Sequence, residues 1–587
     1  MDLVIINKAL ADRKDIFNEQ ILKEKFYQDN KYEILIKCDI VILTFTIPII
    51  IAIPYNWKIY LIDIYVQQNN TFPFIPHVDI KGKVCLFELE GILIDQNLCG
   101  ILSQSLDRAS KIIEDGLSNK NKEEFIDEFD SYWMQLPHIQ YAKCELPEGN
   151  QITLLKYGNK PIVRKKKETY SAYLQRLKKQ KIYLTSDSKH LESYYLRNEK
   201  IIIKNALYIP VKLESFLFPP DPRYNISNEF VKQLLGYIDV KKYNSLASKL
   251  GYKKLLIFSF QQPNGTITLI GLMLENCEIL ENNGICTLKS VEQIVPVCIE
   301  RIDKQYLMAR SSRTQNPLAE KKILLLGCGS LGGYIANELV KSGIEHMMLV
   351  DPDTLHETNI FRHVLGLQYV NQYKSVALQK YLRDNFPNLT LNSLEKNIEE
   401  AVQEGEIEFD NYDLVISATG NPNVNRWINK FIHDNQIQTP VVYAWNEVLG
   451  IGNHIAYIQY GRKGCYECFL GRDEETNELY DKTSYCKPGQ KIVQKIAGCG
   501  SSFIPYSSTV SLKTAAICID IINKIFENQY TDNIIISLKG DNFPFLKAGL
   551  KLSNKYIKQK DKIVVYKGNQ FANSKCKCCG AKYANSK

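Results

Sequence analysis

The segment Lys321–Asp353 constrains the possible folds of this chain more than any other stretch. It begins with a short apolar run, Ile323–Leu326, which predicts a buried parallel strand. Three glycines with the spacing GxGxxG follow this run, and they are Gly327, Gly329 and Gly332. A helical pattern then ends at Gly343, and a second apolar run, Met347–Val350, predicts another strand. The order strand, glycine turn, helix and strand predicts an α/β fold.

The same segment carries a candidate nucleotide site. Glycines let backbone N–H groups approach a phosphate closely, and the N-terminus of the following helix favours an anion. Asp351 ends the second apolar run, 19 residues after Gly332, about where a ribose hydroxyl would be held. A lone GxGxxG is a weak signal, but this one lies in the strand–turn–helix context that the site requires. The sequence therefore predicts nucleotide binding by the glycine turn and Asp351.

Composition excludes several other classes of protein. Of the 587 residues, 45% are hydrophobic and 24% are charged, as in soluble globular proteins. The net charge of +8 is mild for this length, so we expect no direct nucleic-acid partner. The longest apolar stretch, Ile40–Pro54, is too short to span a bilayer, and the start shows no signal peptide. We therefore expect a cytoplasmic protein without a membrane partner, whose 16 cysteines are reduced.

Residues 1–145 predict an α+β domain with a candidate nucleophile. The predicted elements are a helix at Leu10–Tyr27, strands at Tyr32–Lys37, Ile40–Pro48 and Trp57–Ile64, and helices at Leu98–Gly116 and Lys122–Met134. Between the strands and the later helices, a proline-rich stretch contains His77 and Cys85. A thiol can carry an acyl group as a thioester and pass it to an amine. The alternative is that Cys85 is a buried packing residue, which is common for free cysteines.

This layout resembles the ubiquitin-conjugating enzymes, in their divergent bacterial branch. His77 and the pair Cys85–Leu86 match the family motif, whereas Val78 and Asp79 replace its proline and asparagine. The family's asparagine is thought to stabilise an oxyanion, so a different donor must serve here. The resemblance implies that Cys85 is a catalytic, thioester-forming residue.

Residues 146–305 predict a connecting domain of mixed structure and unknown role. Its basic patches, Arg164–Lys167 and Lys178–Lys181, are typical of solvated surface or linker. Two apolar runs, Leu255–Phe260 and Thr266–Leu274, are separated by a Pro-Asn-Gly turn and predict a hairpin.

Residues 306–587 are the predicted nucleotide-binding domain, and several polar residues follow its acidic strand end. They are Asp353, Asn359, Arg362, Lys374 and, after a strand at Asp413–Thr419, Asn421 and Arg426. Cations in this order suit a reaction in which a carboxylate is adenylated, because they spread the charge on the pentavalent phosphorus. Ordinary surface polarity is the alternative for each residue taken alone.

This domain closely resembles the ThiF/MoeB/ubiquitin-activating superfamily, which implies a Rossmann-like adenylation fold with ATP and Mg²⁺ as cofactors. The residues that the resemblance assigns to the nucleotide are Gly327, Gly329, Gly332, Asp351, Asp353, Asn359, Arg362 and Lys374, with Arg362 and Lys374 also catalytic. Gly420 stands where the family has a magnesium-binding aspartate, so Asp353 or a neighbouring carboxylate must help to hold the metal. Family members are commonly homodimers, and Arg310 or Arg313 would then act in the partner subunit's site.

Two CxxC pairs predict a metal site. Cys465 and Cys468 form the first pair, and Cys576 and Cys579 form the second. Four thiolates are a set that Zn²⁺ takes in tetrahedral structural sites. Cys578 offers a substitute for either partner of the second pair. The superfamily has the same two-knuckle zinc site, and the resemblance therefore implies structural zinc.

A second candidate nucleophile lies between the two pairs. A charged, irregular crossover, Arg472–Gln490, leads to Ala497–Ser501, where glycines flank Cys499. The helix predicted at Ser507–Ile522 would place its N-terminus nearby, which favours a thiolate. In relatives the crossover carries the thioester-forming cysteine, so the resemblance favours Cys499, with Cys486 as the alternative. A packing role for Cys499 also stays open.

Together the two halves resemble the conjugating–activating fusion proteins of bacterial CBASS antiphage operons. The resemblance implies that ATP activates the C-terminus of a partner protein, a CD-NTase (cGAS-like nucleotidyltransferase). The acyl group would pass to Cys499, then to Cys85, and then to a target lysine. One polypeptide holding both thiols raises their effective concentration. Two alternatives stay open, namely an activator of a sulfur-carrier protein, which needs no Cys85, and a non-catalytic scaffold, which Gly420 would permit.

Overall fold

The computed structural model describes residues 3–22, 31–67, 72–87, 94, 97–147, 149–159, 169, 182–186, 202–282, 284–308, 318, 320–386, 389–473, 477–495 and 502–580. The chain divides into two units, Met1–Leu307 and Met308–Lys587. The first unit contains both the domain predicted at 1–145 and the connecting domain predicted at 146–305. None of the helices described in these ranges is long and apolar enough to cross a membrane.

An isoleucine-rich antiparallel sheet begins the first unit. Its strands, in spatial order, are β1 (Ile16–Ile21), β2 (Tyr32–Ile42), β3 (Phe45–Pro54) and β4 (Asp63–Val66). Alternate residues of β2, among them Ile36, Cys38 and Ile40, are buried in one core with the inner face of a long helix. The helices of this part are α1 (Leu3–Ala11), α2 (Leu98–Leu117), α3 (Glu124–Asp127) and α4 (Phe129–Met134). The long helix α2 confirms the prediction at Leu98–Gly116.

Four predicted elements of this domain are wrong in detail. The strand predicted at Ile40–Pro48 runs across the turn between β2, which ends at Ile42, and β3, which begins at Phe45. The helix predicted at Leu10–Tyr27 ends at Ala11, and strand β1 follows it. The prediction missed β1 because five of its six residues are not buried, so its sequence lacks the apolar alternation that marks a strand. The strand predicted at Trp57–Ile64 starts only at Asp63. The helix predicted at Lys122–Met134 is two short helices that break at Glu128, where the backbone leaves the helical region (φ −103°, ψ 10°).

The connecting region is a closed seven-stranded barrel. In spatial order its strands are β10 (Ile267–Glu275), β13 (Gln293–Arg301), β5 (Gln140–Cys144), β7 (Ile182–Thr185), β6 (Thr153–Asn159), β8 (Ile202–Lys212) and β9 (Lys253–Gln261). The predicted hairpin is confirmed as β9 and β10. Because β5 begins at Gln140, the barrel starts slightly before the predicted boundary at 146. The remaining elements are β11 (Glu278–Asn282), β12 (Ile285–Ser290), α5 (Asn228–Gly236), α6 (Val240–Ala247) and α7 (Lys304–Met308).

The second unit is built on an eight-stranded mixed sheet. Its spatial order is β16 (Thr390–Leu394), β15 (His346–Val350), β14 (Lys322–Leu326), β17 (Leu414–Ser417), β18 (Val441–Asn446), β19 (Gly452–Ile458), β24 (Ile534–Lys539) and β25 (Ile563–Lys567). The first five strands are parallel. Ile323 and Leu325 belong to one core cluster, whereas Leu324 and Leu326 belong to another, so β14 is buried on both faces.

Helices pack around this sheet, and the one predicted at Ser507–Ile522 runs four residues further, to Phe526. They are α8 (Ser330–Lys341), α9 (Lys374–Asn385), α10 (Ile398–Gln403), α11 (Pro422–Asn435), α12 (Ser508–Phe526), α13 (Phe543–Lys547), α14 (Asn554–Lys558) and α15 (Gly568–Phe571). Gly343 follows α8 with a φ of +101°, the left-handed conformation typical of a residue after a helix. The short strands are β20 (Leu470–Arg472), β21 (Leu479–Asp481), β22 (Gln494–Lys495) and β23 (Ser502–Phe503).

Candidate active sites

The glycine turn of the second unit needs its glycines for close packing. Gly327 has a φ of +88°, and a Cβ on it would lie 2.8 Å from the backbone of Thr419. A Cβ on Gly332 would lie 1.8 Å from the carbonyl oxygen of Gly327. Gly329 is the residue before helix α8, and nothing would meet a Cβ there. Close packing therefore requires Gly327 and Gly332, and Gly329 stands at the N-terminus of α8, where a phosphate is favoured.

A cavity beside this turn has a volume of 540 Å³ and is lined by most of the residues predicted to bind the nucleotide. These are Gly327, Gly329, Asp351, Asp353, Asn359, Arg362 and Lys374, with Gly420 and Asn421 at the end of β17. The volume is in the range of a small-molecule site, which is about 300–1,000 Å³. Residues far apart in sequence thus meet at the carboxyl edge of the parallel strands, where ligands of such sheets bind.

Asp351 is tied to the backbone around it. Its Oδ2 accepts a hydrogen bond from the N–H of Cys328 at 2.6 Å, and its Oδ1 accepts one from the N–H of Asp353 at 2.8 Å. Burial raises the pKa of this carboxyl, against the lowering effects of Lys374 and the two backbone bonds. The side chain therefore fixes the glycine turn to the end of β15. The predicted contact with a ribose stays a prediction.

Three cationic residues line the cavity, Arg362, Lys374 and Lys396, and the two that were predicted are held by different contacts. Lys374 Nζ pairs with Asp353 Oδ2 at 2.8 Å, and the Lys374 side chain is only 13% exposed. The Arg362 guanidinium stands over the rings of Phe503 and Tyr506, 5.8 and 5.7 Å from their centres. Such stacking orients a planar guanidinium while its N–H groups stay available for anions.

Asn359 has a local structural contact. Its Oδ1 accepts a hydrogen bond from the N–H of His356 at 3.1 Å and closes the 3₁₀ turn Glu357–Asn359. The turn places Asn359 on the cavity wall, three residues before Arg362. Its predicted contact with phosphate is untested.

His363 is a residue that the sequence analysis missed. Its Nδ1 accepts from the N–H of Leu365 at 3.1 Å, so Nε2 carries the proton and donates to the carbonyl of Cys328 at 2.8 Å. Burial lowers the pKa of His363 to about 4, and the ring is therefore neutral at pH 7. A neutral imidazole thus holds the glycine turn without placing another charge in the cavity. Its position beside Arg362 was the only sequence signal.

The cavity fits the requirements of a magnesium ion in part. Gly420 offers no carboxylate, and its φ of +68° is one that an aspartate rarely adopts. Three carboxylates do line the cavity, those of Asp351, Asp353 and Glu399. Because Asp351 already accepts backbone bonds, Asp353 and Glu399 are the oxygen donors best placed for a hard cation. Glu399, in the first turn of α10, was not predicted.

Arg426 does not line the cavity, contrary to the grouping made from the sequence. Its guanidinium donates to both carboxylate oxygens of Glu467 at 2.9 Å each. Glu467 lies between the cysteines of the first CxxC pair. The bidentate pair therefore secures the cysteine knuckle to α11 and does not act on a nucleotide.

The four predicted zinc ligands come together. Cys465 Sγ lies 3.9 Å from Cys468 Sγ and 3.7 Å from Cys576 Sγ, and Cys468 Sγ lies 3.4 Å from Cys579 Sγ. Tetrahedral Zn²⁺ with Zn–S distances of about 2.3 Å places its sulfurs about 3.8 Å apart. All four residues are buried. The donor set and its spacing therefore fit zinc.

Cys578 has a different environment. Its Sγ accepts a hydrogen bond from Asn429 Nδ2 at 3.2 Å. It lies near His433 and Cys465 but outside the cluster of four thiols. The second CxxC pair therefore keeps both of its own cysteines as ligands.

The two candidate thiols of the crossover are Cys499 and Cys486. Cys499 lies outside the described residues, as do Arg310 and Arg313. Cys486 is 7% exposed, its Sγ accepts from Gln490 Nε2 at 3.3 Å, and burial raises its pKa to about 11. A buried thiol with a raised pKa is a poor nucleophile. Cys486 is therefore poorly suited to act as the nucleophile.

In the first unit, Cys85 is exposed and lies beside His77. The N–H of Cys85 donates to the carbonyl of His77 at 2.8 Å, and the residues between them form a turn at Gly82, whose φ is +80°. Asp79, at the position of the family's asparagine, accepts from the N–H groups of Lys81 and Lys83 at 2.8 Å each. Asp79 thus builds the turn and has no side-chain donor for an oxyanion.

His77 is held by two carboxylates. Nδ1 lies 2.9 Å from Glu128 Oε1, and Nε2 lies 2.9 Å from Glu124 Oε2. Its backbone N–H donates to the hydroxyl of Tyr132 at 2.7 Å. Hydrogen bonding to Cys85 and then to Glu128 raises the pKa of His77 to about 10, although burial opposes this. The ring is therefore a cation at neutral pH, and the acids that make it so were not predicted.

Two protein families match the chain. The ThiF family matches residues 303–554, and prokaryotic E2 family B matches residues 10–140. These matches and the folds of the two regions confirm the predicted fold class, a Rossmann-like adenylation domain preceded by a conjugating-like domain.

Curated relatives match part of the chain. The ATP-dependent ubiquitin transferase-like protein Cap2 of Pseudomonas aeruginosa is 28% identical over 244 residues, which cover 40% of this chain and 42% of the relative. Cap2 of Escherichia coli is 28% identical over 248 residues, covering 41% and 40%. The match thus spans about two fifths of these relatives. The crystal structure of E. coli MccB with ATP overlays with a TM-score of 0.32 and 21% identity, covering 45% of this chain and 69% of that chain.

Proposed function

Because the chain unites a ThiF-family domain with a prokaryotic E2 family B domain, we propose that it activates the C-terminus of a protein with ATP and transfers it to an amine. The observation that carries this proposal is the cavity where the glycine turn, Arg362 and Lys374 converge, in the same chain as an exposed Cys85 beside a cationic His77. Ubiquitin-like conjugation needs both parts, since a carboxylate must first be activated and then carried by a thiol.

In the adenylation step, the chain's residues hold the phosphates and the developing charge. The backbone N–H groups of the glycine turn bind phosphate oxygens, and Arg362 and Lys374 stabilise the negative charge on the α-phosphorus and the leaving pyrophosphate. The substrate carboxylate oxygen attacks the α-phosphorus, and the bond to pyrophosphate breaks. Mg²⁺ would be held by Asp353 and Glu399 and would neutralise phosphate charge there.

In the thiol steps, two cysteines carry the acyl group in turn. Cys499 attacks the acyl adenylate and releases AMP, and Cys85 takes the acyl group from it by transthioesterification. A lysine amine of the target protein then attacks the thioester on Cys85. Burial of Cys486 supports Cys499 as the first thiol. Reduced thiols suit a cytoplasmic setting. In that setting the four-cysteine cluster binds a structural zinc ion.

The substrate that we propose is the C-terminus of a CD-NTase, in the context of CBASS antiphage defence. This proposal is supported by the likeness to Cap2, an ATP-dependent ubiquitin transferase-like protein. A flexible C-terminal tail is a substrate that an open cavity at the carboxyl edge of the sheet can admit.

We also propose a homodimer formed through the nucleotide-binding domain. Three large apolar residues are exposed in the segment that runs from Asn359 to Lys374, two residues that line the cavity: Phe361 at 94%, Leu367 at 68% and Tyr373 at 47%. A neighbouring group of exposed large apolar side chains is typical of a surface that a partner covers. Arg310 or Arg313 would then complete the site of the other subunit.

An ATP–pyrophosphate exchange assay tests the proposed function. The purified chain is incubated with ATP, labelled pyrophosphate and the C-terminal peptide of a neighbouring CD-NTase. Exchange that depends on the peptide supports adenylation of its carboxylate. Exchange no higher than without peptide favours the scaffold alternative.

A variant of Cys85 distinguishes the sulfur-carrier alternative from the proposed function. A Cys85→Ser chain should exchange pyrophosphate normally but fail to label a target lysine. Full function of that variant would favour sulfur-carrier activation, because that chemistry has no use for Cys85.

A further inference from the structure

Asp79 stands where the conjugating enzymes have an asparagine, so the role of oxyanion donor near Cys85 must be filled by another residue. Attack of an amine on a thioester forms a tetrahedral intermediate whose oxygen is negatively charged, and a nearby donor or cation lowers the barrier. Asp79 occupies that position and has a carboxylate that only accepts hydrogen bonds. A donor for the oxyanion must therefore come from another residue near Cys85.

His77 is a cation beside Cys85, in a surface cavity that Arg108 and Lys111 also line. A ring nitrogen of His77, Cys85 Sγ and a carboxylate oxygen of Glu128 all lie within 4.8 Å of one another. The acyl oxygen of a thioester on Cys85 is two bonds from that sulfur. It can therefore approach the ring to hydrogen-bond distance without movement of the backbone.

The two carboxylates on His77 have different burial. Glu128 is 25% exposed, and it also accepts from the hydroxyl of Tyr132 at 2.7 Å, so it is a fixed anchor for Nδ1. Glu124 is 49% exposed, and an ion pair that exposed gains little over water. A ring N–H of His77 can therefore bind an acyl oxygen on Cys85 while Glu128, which is itself fixed by Tyr132, keeps the ring in place.

The backbone at His77 also indicates a constrained position. His77 has a φ of +62°, which is uncommon for a residue with a side chain and is often found at functional sites. Hydrogen bonds at its N–H, to Tyr132, and at its carbonyl, from Cys85, hold this conformation. The ring is thereby directed into the space between Cys85 and the two acids.

We propose that His77 is a catalytic residue of acyl transfer at Cys85, where its imidazolium N–H binds the oxyanion, and that Glu128 is the residue that positions it. The amine nitrogen forms a bond to the acyl carbon, and the carbonyl electron pair moves to oxygen and is held by His77. When that pair returns, the carbon–sulfur bond breaks, Cys85 leaves as a thiolate, and the nitrogen loses its proton to solvent. His77 gives up no proton. The inference rests on the proposed acyl transfer but not on how Cys85 is loaded.

The test loads Cys85 without ATP. The full chain is treated with the thiobenzyl ester of N-acetylglycine, and discharge of acyl-Cys85 by hydroxylamine is followed by peptide mass spectrometry. His77→Gln should slow this discharge about a hundredfold, as expected for one oxyanion donor. Asp127→Asn, which removes an exposed carboxylate from the same short helix as Glu124, should leave the rate unchanged.

A second variant separates catalysis from structure through its pH profile. Measured from pH 6 to 9, the wild-type rate should stay level to a higher pH than that of Glu128→Gln, because Glu128 and Glu124 still favour protonated His77 after acylation removes the contact with the Cys85 thiol. In Glu128→Gln the rate should fall over this range as His77 titrates nearer its usual value. Equal loss at every pH would mean a structural role and overturn the proposal.

Discharge of folded His77→Gln at the wild-type rate would also overturn the proposal, with folding judged by its thermal melt. If His77→Gln does not fold, the pH profile of Glu128→Gln decides alone. Failure of ATP-dependent loading would count against the proposed adenylation but would not alter this discharge assay.

Discussion

Replacement of Lys374 by alanine should weaken ATP binding by about 10- to 100-fold. The Lys374 side chain is only 13% exposed, so its charge is poorly screened in the cavity. A hydrogen bond from a charged donor contributes about 1.5–3 kcal/mol, and about 1.4 kcal/mol corresponds to tenfold in affinity. Its present pair with Asp353, a side chain that is 68% exposed, offsets little of this. Removing Lys374 also leaves the Asp353 carboxylate uncompensated near the phosphates.

The measurement is isothermal titration of ATP with excess Mg²⁺ into the full chain. Lys380→Ala is the matched control, since Lys380 is an exposed residue of the same helix and does not line the cavity. It should bind ATP as the wild type does. An affinity of Lys374→Ala within twofold of the wild type would refute the assignment of Lys374 to the phosphates.

Three further predictions follow from the two units. Elemental analysis should find one zinc per chain, lost in Cys468→Ser but kept in Cys578→Ser; zinc loss in both variants would contradict the four-thiol site. The hydrogen-bond partners of His77 raise its pKa to about 10. The contribution of these contacts to the stability of the folded chain is therefore complete below about pH 6.5 and is lost as the pH rises through 10. The melting temperature difference between wild type and His77→Gln should therefore shrink from pH 6 to 10.5, and a constant difference would argue against this pairing. Arg426→Ala should leave ATP affinity unchanged and lower the melting temperature by loosening Glu467; weakened ATP binding would restore Arg426 to the nucleotide site.

The nucleotide cavity was largely predictable because its signals are local. Strand, glycine turn, helix and acidic residue follow one another within Lys321–Asp353, and each has its own physical requirement. The CxxC pairs were predictable for the same reason, since each pair is a short knuckle. Their meeting across 111 residues needed the fold, with Cys465 Sγ 3.7 Å from Cys576 Sγ.

Features that depend on distant pairing were not predictable. The barrel closes through parallel pairing of β5 with β13, strands that are far apart in the chain. An edge strand such as β1 exposes most of its residues, so its sequence lacks the apolar alternation of a strand and predicts a helix instead. Arg426 was grouped with the nucleotide residues because the sequence does not show its partner, Glu467. The acids that hold His77 lie 47 and 51 residues away and meet it only through the packing of α3 and α4.

The most direct test of the account follows the acyl group itself. The chain is incubated with ATP and a protein bearing the proposed C-terminus, and intact mass and peptide mapping locate any adduct that thiols remove. The account predicts an ATP-dependent adduct on Cys85 that is absent in Cys499→Ser, and an adduct that accumulates on Cys499 in Cys85→Ala. No adduct on either cysteine in the presence of ATP, or equal loading of Cys85 without ATP, would contradict it.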